Sequence, residues 1–271
     1  MDLQLKDLLE AKSRQVRRDV LRMHQKGTNV ASAMSAVDIL VCLYFGEMSD
    51  VGDEYSAGDR FILSKGHGAA ALYATLAARG LFEHSLLSTY LQDGSRLAGH
   101  PARGSLPGID ISTGSLGHGL PMAVGLAWAA KLSGNPGRIF VLQGDGEQQE
   151  GSVWEAAVLA ARLELDNLVV IVDINGLQGY DRVNRLTPLE LFADKWRAFG
   201  WLTREIDGHD HEQIYNALQI SPVSSTQPLV ILARTVKGKG VKEMEDQLGW
   251  HYFSVPQDKV ETFVRELDGQ Q

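Results

Sequence analysis

Apolar positions along the 271-residue chain recur at two spacings, and their alternation predicts most of its elements. Residues 3–26 set leucine and valine at helical spacing among charges, which predicts an amphipathic helix. SAVDILVCLYFG (35–46) predicts a second, more deeply buried helix. Compact apolar runs at 60–64, 138–143, 167–173, 201–206 and 228–236 read as strands. Helical patterns accompany them at 66–80, closed by Gly80, and at 119–133, 152–164, 189–199 and 210–219. Short apolar strands alternating with helices predict an α/β fold, a mostly parallel central sheet with helices on both faces. No repeat or linker divides the chain, so residues 1–271 read as one domain with an N-terminal helical region and a tail after about 240 that wraps the sheet or a partner. Sheets of this kind bind ligands in the loops beyond the strand C-termini.

Composition sharpens this picture at two points. The chain holds 28 glycines, and seven of them fall between Gly94 and Gly119. Tight turns would need one or two each, so the cluster suggests backbone approaching a ligand closely. The 26 basic and 34 acidic side chains leave a charge of −8, which argues against a nucleic-acid face or a polybasic membrane patch. No apolar run approaches the ~20 residues of a spanning helix, and the first residues show no signal-peptide core. A lone Cys42, set in ILVCLYF as a core thiol, excludes an intrachain disulfide framework and fits a reducing compartment. A cytoplasmic protein that binds neither nucleic acid nor membrane is the expectation.

The sharpest local feature is QGDGEQQEGSVWEAA (143–157) followed by NLVVIVDINGLQGYD (167–181). Asp145 falls just after one apolar strand and Asn175 just after the next, 30 residues on. A β-loop-α-β unit brings both to one edge of the sheet. A carboxylate and an amide oxygen, with phosphate oxygens completing the shell, suit Mg²⁺, which rarely receives an all-protein cage. The Leu177 carbonyl, two residues past Asn175, is placed to add a third protein oxygen. The glycines leave backbone N–H groups and a helix N-terminus free to face a diphosphate. The competing reading is a pair of tight turns, GDG and Asn175-Gly176.

GDG, thirty residues and then Asn resembles the thiamine diphosphate signature. Its surroundings, LSKGHGAAALYA (63–74), GHP (99–101), LPGIDISTGSLGHG (106–119) and TVKGKG…WH (235–251), look like successive blocks of transketolase from about residue 10 to 255. They cover only the N-terminal, diphosphate-binding portion of that family. The resemblance therefore implies the N-terminal subunit of a split, two-subunit transketolase with a thiamine diphosphate-binding fold, using thiamine diphosphate and Mg²⁺. It implies Asp145, Asn175 and the Leu177 carbonyl as metal ligands, and Gly146 as a diphosphate contact. Gly114, Ser115 and Leu116 match the loop along the aminopyrimidine side, while Glu150 and Glu155 match acidic residues between paired active sites. His67 and His100 match histidines facing the thiazolium and substrate hydroxyls, the catalytic pair, and His251 matches one near the diphosphate. His118 stands where single-chain members often carry Gln. His24 and His84 read as solvated, and His209 and His211 flank Asp210 in DGHDHEQI, a turn and helix N-cap.

One residue departs from the pattern. Thr28, in QKGTNVASAMSAVDIL, takes the place of a histidine that contacts the donor, and threonine cannot act as an acid or base near pH 7. A branched or otherwise modified sugar phosphate donor is the expectation. The glutamate that polarises the aminopyrimidine and the arginines that hold substrate phosphate belong to the half this chain lacks. A C-terminal subunit carrying the pyrimidine-binding domain, in an α2β2 assembly, is thus the expected partner, and the two would transfer a two-carbon glycolaldehyde unit from a ketose phosphate to an aldose. The rival readings are the α subunit of another two-chain thiamine diphosphate enzyme, such as a 2-oxoacid dehydrogenase, and a non-catalytic cofactor-binding module.

Overall fold

The structure, a computed structural model, describes residues 1–25, 27–49, 58–185, 187–219 and 226–269. Five parallel strands lie in the order β1-β2-β3-β5-β4: β1 (Arg60–Leu63), β2 (Ile139–Gly144), β3 (Leu168–Ile174), β4 (Leu202–Asp207) and β5 (Leu229–Arg234). The three inner strands are apolar at nearly every position because both of their faces are covered. Phe140, Leu142, Val169, Ile171 and Ile231 point to one core, while Val141, Val170, Val172, Val230 and Leu232 point to the other. Edge strand β4 is wetter, with Arg204 and Glu205 exposed.

The first core is roofed by α1 (Leu3–Met23), α2 (Val30–Ser35), α3 (Val37–Cys42), α4 (Ala69–Arg79) and α8 (His211–Leu218), the second by α5 (Gly119–Ser133), α6 (Gly151–Arg162) and α7 (Phe192–Ala198). Asp2 caps α1 by accepting from the Leu5 N–H at 2.8 Å, and Gly80 stops α4 at φ 86°. The helix expected over 35–46 is instead broken. Helix begins earlier, in α2, breaks at Ala36, whose N–H tightens back onto Ala33, and resumes as α3 before a wide turn at Leu43–Glu47. The helix expected to run to residue 26 ends at Met23, and Lys26 lies outside the described residues. The tail returns through α9 (Val260–Leu267) to α1, where Arg18 pairs with Asp268 at 2.8 Å. Among the described residues no helix is long and apolar enough to cross a membrane.

The returning tail also corrects the reading of His24 as solvated. The Val255 N–H donates to the His24 carbonyl at 2.8 Å, and His24 is fully buried with its Nδ1 at 2.8 Å from the Val20 carbonyl. His84 keeps a half-exposed ring and pairs with Asp19 at 2.9 Å. Asp210 caps α8 as expected, through the Glu212 and Gln213 N–H groups. Cys42 is buried.

Candidate active site

A cavity of about 420 Å³ opens beyond the C-terminal ends of β1, β2, β3 and β5. Its wall is built from the loops that follow those strands, from residues 114–116, and from the start of α2. Of the residues singled out in the sequence, His67, Gly114, Leu116, Asp145, Gly146, Glu150, Asn175, Leu177 and His251 line it. Ser115 and His100 do not. The Ser115 hydroxyl lies 3.2 Å from His118 Nδ1, and the His100 ring stands behind Gly114. A Cβ on Gly114 would meet that ring at 3.0 Å, and one on Gly66 would meet the Gly114 nitrogen at 2.8 Å. Glycine at both positions is what lets the two loops close on each other. Glu155 is exposed on α6, away from the wall.

Asp145 directly follows β2. Its Oδ1 accepts from the Gly146 N–H at 2.8 Å and its Oδ2 from the Gly176 N–H at 2.6 Å. Burial, with the Asp173 carboxylate nearby, pushes its carboxyl up to about 7 against the pull of those two bonds and of the Lys65 ammonium. Asn175 follows β3, and its Oδ1 accepts from the Leu177 N–H at 3.2 Å. Among the described residues no three of His, Cys, Asp and Glu gather as a metal group. A cation here would rest on one carboxylate, one amide oxygen and one carbonyl, a set suited to a hard ion that keeps other oxygen ligands.

Residues passed over in the sequence supply the positive charge. Lys65, in SKGHG, is buried and paired with Asp173, and also donates to the Ser32 carbonyl at 3.0 Å. Lys237, in TVKGKG, is 1% exposed and reaches the Leu177 carbonyl at 3.4 Å and His251 Nδ1 at 3.0 Å. Burial beside Lys65 lowers Lys237 to about 8. Burial, reinforced by Lys65, holds His67 well below the ordinary imidazole range, and burial with Lys237 lowers His251 to about 4. Both rings are therefore neutral. Among the described residues, the Gln178 Nε2 donor and the Asn29 Oδ1 acceptor of the wall have no hydrogen-bond partner. A cavity with buried cations, a free amide donor and neutral imidazoles is prepared for an anionic ligand with a polar neighbour.

Against expectation, Thr28 is exposed and outside the wall. The residue that reaches the cavity is its neighbour Asn29, held at φ 68° with its N–H donated to the His251 carbonyl at 3.1 Å. That left-handed turn swings the two side chains apart.

The family profile described as "Transketolase, thiamine diphosphate binding domain" matches residues 8–270. The chain belongs to the transketolase family. It is 39% identical over 267 residues to one subunit of the apulose-4-phosphate transketolase of Actinobacillus succinogenes, covering 96% of each chain. It is also 39% identical to the 6-deoxy-6-sulfo-D-fructose transketolase subunit SqwG of a Clostridium species, covering 89% of this chain and 88% of that one. The solved transketolase of Campylobacter jejuni superposes with a TM-score of 0.87 at 30% identity, over 100% of this chain and 44% of that chain. The chain thus spans less than half the length of the solved transketolase chain it matches, as expected of a diphosphate-binding portion alone.

Proposed function

We propose that residues 1–271 form the diphosphate-binding domain of a cytoplasmic two-chain transketolase, active with a partner that carries the pyrimidine-binding domain. The observation that carries this reading is the meeting of Asp145, Asn175 and the Leu177 carbonyl at one sheet edge, beside buried Lys65 and Lys237. In this assignment Asp145, Asn175 and Leu177 hold Mg²⁺, and Gly146, Gln178 and Lys237 face the diphosphate. The raised Asp145 carboxyl and the unpartnered Gln178 amide both fit a site that receives a cation and an anion together. Thiamine diphosphate, when bound, supplies the carbanion chemistry that moves a two-carbon unit between sugars.

The chain's own groups bind and orient. His67 and His251, neutral and 6.1 Å apart by ring centroid, can orient cofactor and sugar oxygens by hydrogen bonds without adding charge. Glu147 braces the site by accepting from the Ser64 hydroxyl at 2.5 Å, the Gly117 N–H at 2.8 Å and the Gly144 N–H at 3.1 Å. In the same assignment His100, exposed beside Gly114, serves substrate hydroxyls. An apolar face made by Trp128 and Leu132 on α5 and Val158 and Leu159 on α6 stays exposed, which supports an assembly such as α2β2.

The donor is a modified ketose phosphate. Relatives named for apulose 4-phosphate and for 6-deoxy-6-sulfo-D-fructose support this. The chain co-expressed with its partner should turn over a branched or sulfonated ketose phosphate with kcat/KM at least about tenfold above that for xylulose 5-phosphate. Equal efficiency on xylulose 5-phosphate would remove the specificity claim. No turnover of any ketose, with pyruvate decarboxylated instead, would replace the transketolase reading by the 2-oxoacid one.

A further inference from the structure

The DGHDHEQI stretch does more than cap a helix. Beyond β5 the chain runs through Thr235, Val236 and Lys237, and each is held at a different point. Thr235 gives its hydroxyl to Asp173 and its N–H to the Ile174 carbonyl at 3.0 Å. Lys237 enters the cavity. Between them the Val236 N–H leaves the sheet ladder and donates to His209 Nε2 at 2.8 Å. Because a backbone N–H can only donate, that nitrogen is the acceptor and the ring proton sits on Nδ1. Nδ1 in turn lies 2.8 Å from Asp38 Oδ2. Asp38, on α3, is gripped by both Arg17 nitrogens at 2.9 and 2.6 Å, and His211 approaches it at 3.4 Å. None of Asp38, Arg17, His209 or His211 lines the cavity.

We propose that His209 is a positioning residue for the cofactor site: oriented by Asp38, it holds the Val236 N–H and so fixes the backbone that delivers Lys237 to the diphosphate. On the other side of Lys237 the Gly238 N–H donates to the Ala31 carbonyl at 2.9 Å. The lysine is therefore suspended between two backbone anchors, one on each neighbour. Its ammonium sits 3.0 Å from His251 Nδ1 and 3.4 Å from the Leu177 carbonyl, so a shift at Val236 moves it off both contacts. The chain of contacts runs from a buried carboxylate through one imidazole to a main-chain donor, much as outer hydrogen-bond partners orient the ligands of a metal. This inference rests on the cofactor reading above.

The test is calorimetric titration of magnesium thiamine diphosphate into the full chain and three variants. His209→Asn keeps a donor toward Asp38 but is too short to accept from Val236, and should weaken binding about tenfold. His209→Gln, whose carbonyl oxygen reaches the place of Nε2, should recover most of that loss. In the Lys237→Met background, His209→Asn should cost nothing further, because both changes remove one interaction. Amide exchange across 235–238 should quicken in His209→Asn without cofactor present. Undiminished affinity in His209→Asn, or an equal additional loss in the Lys237→Met background, overturns the inference and leaves the cofactor site standing. Failure of the unaltered chain to bind magnesium thiamine diphosphate overturns both.

Discussion

Two buried carboxylates, Asp38 and Asp145, lie 2% exposed each and behave in opposite ways. Burial opposes ionisation of both. At Asp38 the Arg17 guanidinium and the two histidines more than offset it, and the carboxyl is held well below its usual range. At Asp145 the partners are two backbone N–H groups, and the carboxyl rises to about 7. Asp38 already has its cation, supplied by α1. Asp145 has only dipoles, and the positive charges nearest it are spoken for by Asp173 and His251. A finished ion cluster is a piece of scaffold. An unfinished one, set in a cavity, is a place for a ligand.

The contrast is tested first on stability. Removing Asp38 leaves the Arg17 guanidinium buried without a counter-charge, a change that costs about 3–5 kcal/mol in buried pairs. Urea unfolding of Asp38→Ala should show a loss of that size, and a loss under about 1 kcal/mol would mean that Arg17 finds water or another partner. Asp145→Asn should act mainly on binding. The unliganded chain should lose about 1–2 kcal/mol, less than Asp38→Ala does, since the amide oxygen keeps one of the two backbone N–H bonds and its NH2 leaves the other unpaired. Magnesium thiamine diphosphate should bind at least about a hundredfold more weakly, because the proposed metal site loses its one carboxylate. If Asp145→Asn melts as Asp38→Ala does, Asp145 is structural and the contrast collapses.

The same physics explains how much of the molecule is legible in its sequence. The inner strands can be read because burial on both faces writes a continuous apolar run, and Asp145 and Asn175 because each stands one residue past such a run. Edge strand β4 reads one residue early, because buried Trp201 extends its apolar start backward. The break at Ala36 between α2 and α3 leaves no mark, since Ala36 and its neighbours suit a helix and the turn is made by tertiary packing. Lys65 and Lys237 look like solvated lysines in glycine-rich loops, and only the meeting of four strand ends buries them. Thr28 and Asn29 differ by one position in a loop with no periodicity to set its register. A φ of 68° at Asn29 decides which of them faces the cavity.

A third buried group, His24, sharpens the contrast by repeating it for a base. Its ring bonds only to backbone, Nδ1 to the Val20 carbonyl at 2.8 Å, and among the described residues no carboxylate pairs with it. Burial accordingly lowers it from 6.5 to about 4, although backbone bonds pull the other way. A base with a folded value below its unfolded one takes up its proton more readily on unfolding. The stability it protects is complete above pH 6.5 and is lost as pH falls toward 4. Between pH 7 and pH 5 the loss should be about 2 kcal/mol. Urea midpoints at the two values measure it, with His24→Gln, which cannot titrate, as the reference. If the variant and the parent chain lose stability in parallel, His24 gains a counter-charge or water on acidification. Burial without a partner would then not be what separates Asp145 from Asp38.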